Sequence, residues 1–162
     1  MVTLRQDVRY GVVSDEDRQS LSGLEFVQAL VDGKLPHNSM AQTLGYRIVS
    51  AEHGRVVIIA QPSRSHLNPG GTVHGGLSAT LLDSCMGLAV HSTLPRGWAS
   101  TTLEFKISFT RPITSETGLI TAEGRVLSQG RRAGTAEGRV TDAQGRLLAH
   151  GTTTCLIFEP KA

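Results

Sequence analysis

From His74 to Leu94 the sequence reads HGGLSATLLDSCMGLAVHSTL. Leu77, Leu81, Leu82, Cys85, Met86, Leu88, Ala89 and Val90 occupy nearly every direction around a 3.6-residue helix. Asp83 is the sole acidic or basic side chain before Arg96, histidines aside. A helix this apolar on all sides predicts a central position enclosed by the rest of the chain. An ionised carboxylate there is costly unless it is paired or hydrogen-bonded. Gly76, Thr80, Asp83 and Gly87 stand at i, i+4, i+7 and i+11, a narrow stripe of small and polar residues that leaves room beside the carboxylate for a ligand. The bland alternative is that Asp83 pairs with a buried arginine or caps a neighbouring element, the glycines serving close packing.

At the start of this helix, Gly75 and Gly76 leave backbone N–H groups unobstructed at a positive helix end, where a developing oxyanion is favoured. They also suit a simple glycine-rich helix start. His74 is read first as a residue that orients the preceding loop, and second as a base. That loop, residues 61–71, is dense in turn formers and predicts neither helix nor strand. Within it Asn68 can donate and accept hydrogen bonds, so it suits a substrate carbonyl or a water, though Asn before Pro also starts ordinary turns.

Beyond Pro95-Arg96-Gly97 the pattern alternates strictly. Thr101, Leu103, Phe105, Ile107 and Phe109 fall on one face, and Thr102, Glu104, Lys106, Ser108 and Thr110 on the other, as in a half-buried antiparallel strand. Three more strands are predicted at about 118–127, 132–141 and 147–158, joined by hairpin turns at Ser128-Gln129-Gly130 and at residues 142–145. Upstream, residues 44–49 and 56–60 predict a hairpin around Glu52-His53-Gly54. Leu21, Leu24, Phe26, Val27, Ala29 and Leu30 predict an amphipathic helix ended by Asp32-Gly33. The reading is therefore α+β: residues 1–39 form an N-terminal helical extension, and in residues 40–162 a curled antiparallel sheet wraps the long helix.

Composition narrows the function. The chain has 162 residues, one domain's worth, and a formal charge of only +2. With aromatics at 4%, nucleic acid is not an expected partner. No stretch of about 18 apolar residues predicts a membrane span, and the first residues lack a signal-peptide core. Cys85 and Cys155 match neither a redox pair nor a zinc spacing and read as reduced thiols of a cytoplasmic protein. No metal site or cofactor is expected. Residues 76–80 lack the last glycine of GxSxG, and HExxH, P-loop and GxGxxG motifs are absent.

The segment from Asn68 through His74-Gly75-Gly76 to Asp83 closely resembles the signature of the PaaI-type hotdog thioesterases. The resemblance extends through residues 101–112, the Gly130-Arg131 turn and residues 151–158, covering about 44–158. It implies a hotdog fold, two subunits that pair to share active sites, and dimers that often join into homotetramers. The family's catalytic carboxylate lies nine residues after the motif histidine, which places it at Asp83. Gly75 then falls at the oxyanion position, and Asn68 at the residue that orients the thioester or the water. Thr102, or its neighbour Thr101, matches a hydroxyl that holds water in some members. Gly76 belongs to the substrate side of the motif, and Arg131 and Arg132 are candidate contacts for CoA phosphates or solvated turn residues. The implied activity is hydrolysis of an aryl or short- to medium-chain acyl-CoA, Asp83 acting as general base or nucleophile. Alternatives are a non-catalytic acyl-CoA binding module and, less well matched, a hydratase of the same fold.

Overall fold

Gly124 and Gly138 determine how closely the sheet meets the helix. Gly124, Gly138 and Gly151 stand opposite one another across three neighbouring antiparallel strands. A Cβ on Gly124 would lie 2.4 Å from the backbone C and O of Cys85, and one on Gly138 would lie 2.8 Å from Leu82. The long helix, α4 (Gly75–His91), therefore rests on strand backbone rather than on side chains.

The computed structural model describes residues 8–160; residues 1–7 of the predicted extension lie outside the described residues. Before α4 come α1 (Asp15–Ser20), α2 (Gly23–Val31), α3 (Ser39–Leu44), β1 (Tyr46–Glu52) and β2 (Arg55–Ala60). After it come β3 (Ala99–Phe109), β4 (Ile120–Gln129), β5 (Ala133–Asp142) and β6 (Leu147–Phe158). The strands form one antiparallel sheet in the order β1-β2-β4-β5-β6-β3, and α4 touches all six. The predicted turns hold, with Gly54 and Gly145 in the left-handed region that a β-carbon would strain. No helix among the described residues is long and apolar enough to cross a membrane.

α4 is enclosed on one side only. Leu77, Ser78, Leu81, Leu82, Cys85, Met86, Ala89 and Val90 are buried, pair after pair along the face that meets the sheet. Ala79, Thr80, Asp83, Ser84, Gly87, Leu88 and His91 are only partly covered. Apolarity on all sides predicted full enclosure, but the wrapped sheet leaves this second stripe open.

Sequence reading missed α3, whose last residue, Leu44, it took as the start of the strand that begins at Tyr46. Asn38 caps it by accepting from the Ala41 N–H at 2.8 Å, and Gly45 ends it at φ 64°. A six-residue helix is too short for periodicity to reveal. α2 carries a full capping box between Ser22 and Glu25. It buries Val27 and Leu30 in the same core as α4, and the Gly23 N–H donates to Leu94 O at 3.0 Å.

The alternation along β3 is not strict in the fold. Thr102 pairs with Cys155 but Glu104 pairs with Thr154, so Leu103 is an extra residue, a β-bulge. Phe105 then pairs with buried Thr153, and Ile107 and Phe109 follow on the helix side. Three residues apart, Thr102 and Phe105 would face opposite ways on a regular strand. The bulge turns both toward α4.

Candidate active site

Thr102 donates from Oγ1 to Asp83 Oδ1 at 2.8 Å. That hydrogen bond supplies the polar partner the carboxylate needs, in place of the buried arginine of the bland alternative, and it is Thr102 rather than Thr101 that makes it. The second carboxylate oxygen has no hydrogen-bond partner among the described residues. Thr102→Val is expected to lower kcat about tenfold, since one such hydrogen bond to a charged group contributes about 1.5–3 kcal/mol. Thr102→Ser should retain most of the rate, and steady-state kinetics on the two variants checks both.

Beside Asp83 lies a polar chain that sequence reading did not find. Ser84 Oγ stands 3.2 Å from the hydroxyl of fully buried Tyr46, which donates to Asn38 Oδ1 at 3.1 Å. These residues come from α4, β1 and the cap of α3, and no local motif links them.

Asp83 stands where two cavities meet. One, of about 400 Å³, continues along α4 past Gly87 and Leu88 to His91. The other, of about 320 Å³, opens between Thr80, Phe105 and Asn38. Gly75 lines neither; it borders a third hollow of about 400 Å³ with Phe109 and Pro112. The Gly75 N–H meets no acceptor among the described residues. Gly75 and Asp83 are eight residues apart on one helix, about 12 Å along its axis. Within one chain, therefore, the two do not reach the same carbonyl.

The remaining predicted residues divide by role. His74 is exposed and caps α4, its Nδ1 accepting from the Gly76 N–H at 2.9 Å, so its side chain serves the helix that follows rather than the preceding loop. A Cβ on Gly76 would stand 2.9 Å from that nitrogen. Asn68 is spent largely on its own loop: Oδ1 accepts from the N–H groups of Gly70 at 2.9 Å and Thr72 at 3.3 Å, and Nδ2 donates to Thr72 Oγ1 at 2.9 Å. It lines neither cavity at Asp83. Arg131 is held by Glu159 at 2.6 Å, whereas Arg132 is exposed beside it without an ion pair among the described residues. Their turn joins β4 to β5 near Thr93, which donates to Gln129 at 2.7 Å.

Burial pushes the thiols of Cys85 and Cys155 up, which keeps both protonated and unsuited to nucleophilic attack. Burial lowers the pKa of His91, whose imidazole is neutral at neutral pH. Among the described residues no group of three or more His, Cys, Asp or Glu is placed to hold a metal.

A single long helix cradled by a curved antiparallel sheet is the hotdog fold, and the comparisons with known proteins place the chain among its thioester hydrolases. The model of the thioesterase superfamily matches residues 70–149. Human acyl-coenzyme A thioesterase 13 is 36% identical over 109 residues, spanning 66% of this chain and 76% of that protein. A phenylacetic acid degradation-related protein from Ralstonia eutropha superposes with a TM-score of 0.73 at 29% identity, over 81% of this chain and 98% of that one. A protein of Streptococcus mutans, solved with acetyl CoA bound, superposes with a TM-score of 0.65 at 27% identity, over 72% and 91%. The chain belongs to the thioesterase superfamily and is a PaaI-type hotdog enzyme.

Proposed function

We propose that this enzyme hydrolyses acyl-CoA thioesters to free acid and CoA, with Asp83 as the reacting carboxylate. The observation that carries the reading is Asp83 itself, held through one oxygen by Thr102 at 2.8 Å, with the other left for a water or for direct attack on the thioester carbon. A thioester has two arms, and two cavities meet at Asp83. The human relative is an acyl-coenzyme A thioesterase, and the Streptococcus relative holds acetyl CoA.

The oxyanion donor in this reading is the Gly75 N–H of a second copy. β3 is an edge strand, and Leu103, Phe105 and Phe109 on it are 59%, 39% and 59% exposed. Large exposed apolar residues on an unpaired edge are what a partner strand covers. A two-fold axis there runs the two α4 helices antiparallel, so the start of one lies beside the middle of the other. CoA leaving Asp83 past Phe105 then heads toward the second copy's β4–β5 turn, where Arg132, freer than Arg131, suits a phosphate. Asn68 supports the Gly75 end through its loop. In this reading residues 40–162 are the hotdog domain and 1–39 its extension, dimers pair into a homotetramer, and buried free cysteines suit the cytoplasm.

Mixing inactive variants tests the shared site. Gly75→Pro removes the N–H at a position where helices tolerate proline, its added carbon displacing the end of the exposed Phe109 ring that would lie 2.8 Å away, and Asp83→Asn removes the carboxylate. Refolded together in equal amounts, they should regain about one quarter of wild-type CoA release, because half the dimers are mixed and each holds one intact site. No recovery despite mixed dimers would mean that both groups act within one chain. If the wild type binds acyl-CoA but releases no CoA thiol, the chain is a binding module instead.

A further inference from the structure

We infer that the N-terminal extension is part of the active site: with α4 it walls an acyl groove, stopped along α4 by Phe26 and His91, that sets the length of the acyl group. The inference rests on Asp83 being the reacting carboxylate. The cavity of about 400 Å³ that begins at Asp83 and Thr102 is walled by α4 on one side and by Val13, Phe26 and Leu30 of the extension on another. Gly87 gives it width, since a Cβ there would meet only Thr102 Oγ1, at 3.8 Å. At the far end the Phe26 ring meets His91 edge-on, with centroids 5.0 Å apart and planes at 67°. The imidazole is uncharged there, so the end wall accepts an apolar terminus. Besides Asp83, the charged lining residue is Arg18, half-exposed and paired with Asp15.

This wall is fixed in place. The Gly11 N–H donates to His37 O at 2.8 Å, and the His37 N–H to Arg9 O at 2.9 Å. α2 is tied to the end of α4 through Gly23 and Leu94, and a Cβ on Gly23 would lie 1.7 Å from His91 O, so the two elements approach as closely as backbone allows. A rigid stop discriminates by length more sharply than a flexible flap.

The distance gives the size. Asp83 and His91 are eight residues apart on α4, about 12 Å along its axis. Van der Waals contact at each end takes about 3.5 Å, leaving roughly 5 Å from the thioester carbon to the last carbon. That space fits a straight acyl group of roughly five or six carbons, or one six-membered ring, with longer chains blocked by the Phe26–His91 pair.

Two variants with opposite expected effects test this, read as kcat/KM across straight-chain acyl-CoAs from acetyl to dodecanoyl. Calorimetric binding of the matching non-hydrolysable S-alkyl-CoA thioethers runs beside it. Wild type should lose at least about tenfold between hexanoyl and decanoyl. Phe26→Ala should raise the decanoyl-to-butanoyl ratio at least about tenfold, whereas Gly87→Ala should lower the hexanoyl-to-acetyl ratio several-fold. Gly87→Ala favours the helix and meets no close neighbour, so it carries the test if Phe26→Ala fails to fold. Unchanged ratios in folded Phe26→Ala and Gly87→Ala would overturn the pocket. Thioether binding that follows the same length rule without any thioester cleavage would keep the pocket and overturn hydrolysis alone.

Discussion

Asp83→Asn is expected to lower thioester turnover by about 10³-fold, within the range a positioned base supplies, while the protein unfolds at or above the wild-type midpoint. The amide has the shape of the carboxylate and keeps an oxygen for the Thr102 hydroxyl, so the contact at 2.8 Å survives the change. What is lost is the ability to take a proton from water or to attack as an anion. Removing a half-buried charge that has a single hydroxyl partner carries no stability penalty and can be a gain. Activity and stability therefore separate in this variant, and paired measurements of CoA release and thermal unfolding read the two apart. A folded Asp83→Asn enzyme working at wild-type rate would remove Asp83 from the chemistry.

Gly124→Ala should act in the opposite way, destabilising by about 3 kcal/mol and lowering the unfolding midpoint by roughly 6–12 °C. The added carbon would lie 2.4 Å from the backbone C and O of Cys85 and 2.7 Å from the Met86 nitrogen. None of these atoms can rotate aside, so α4 must lift from the sheet. Lifting it also loosens Leu82 and Met86 from Gly138, where even a Cβ would lie only 2.8–2.9 Å from their side chains. Gly87→Ala on the same helix has no such neighbour and should leave the midpoint unchanged or raise it. A calorimetric midpoint for Gly124→Ala equal to wild type would mean that the sheet can yield at this point.

How much of this was legible in the sequence depended on whether the signal was local. The continuous apolar run of α4, the turn glycines and the strand periods are local, and they gave the fold class and the order of the six strands around α4. Asp83 was legible because a charge amid leucines needs a reason. Asn68 was placed in the right loop, but its side chain holds that loop together, a role that depends on backbone geometry composition does not encode. Ser84, Tyr46 and Asn38 form their chain only after β1 lies beside α4. Phe26 and His91 meet across 65 residues of sequence, and each reads alone as an ordinary face of its own helix. The separation of Gly75 from Asp83 was implicit in the helical rise, yet a linear motif makes the two look adjacent.

The extra residue in β3 works as a parity correction. Upstream of Leu103 the even-numbered residues Ser100 and Thr102 share the helix-facing phase, and downstream the odd-numbered Phe105, Ile107 and Phe109 share it. A chimera or deletion that changes the count between Thr102 and Phe105 by one would keep every strand and every turn. It would present the helix with either the hydroxyl that serves Asp83 or the aromatic rim of its cleft, never both. Recombination between relatives in this stretch has to conserve odd and even before it conserves residue type.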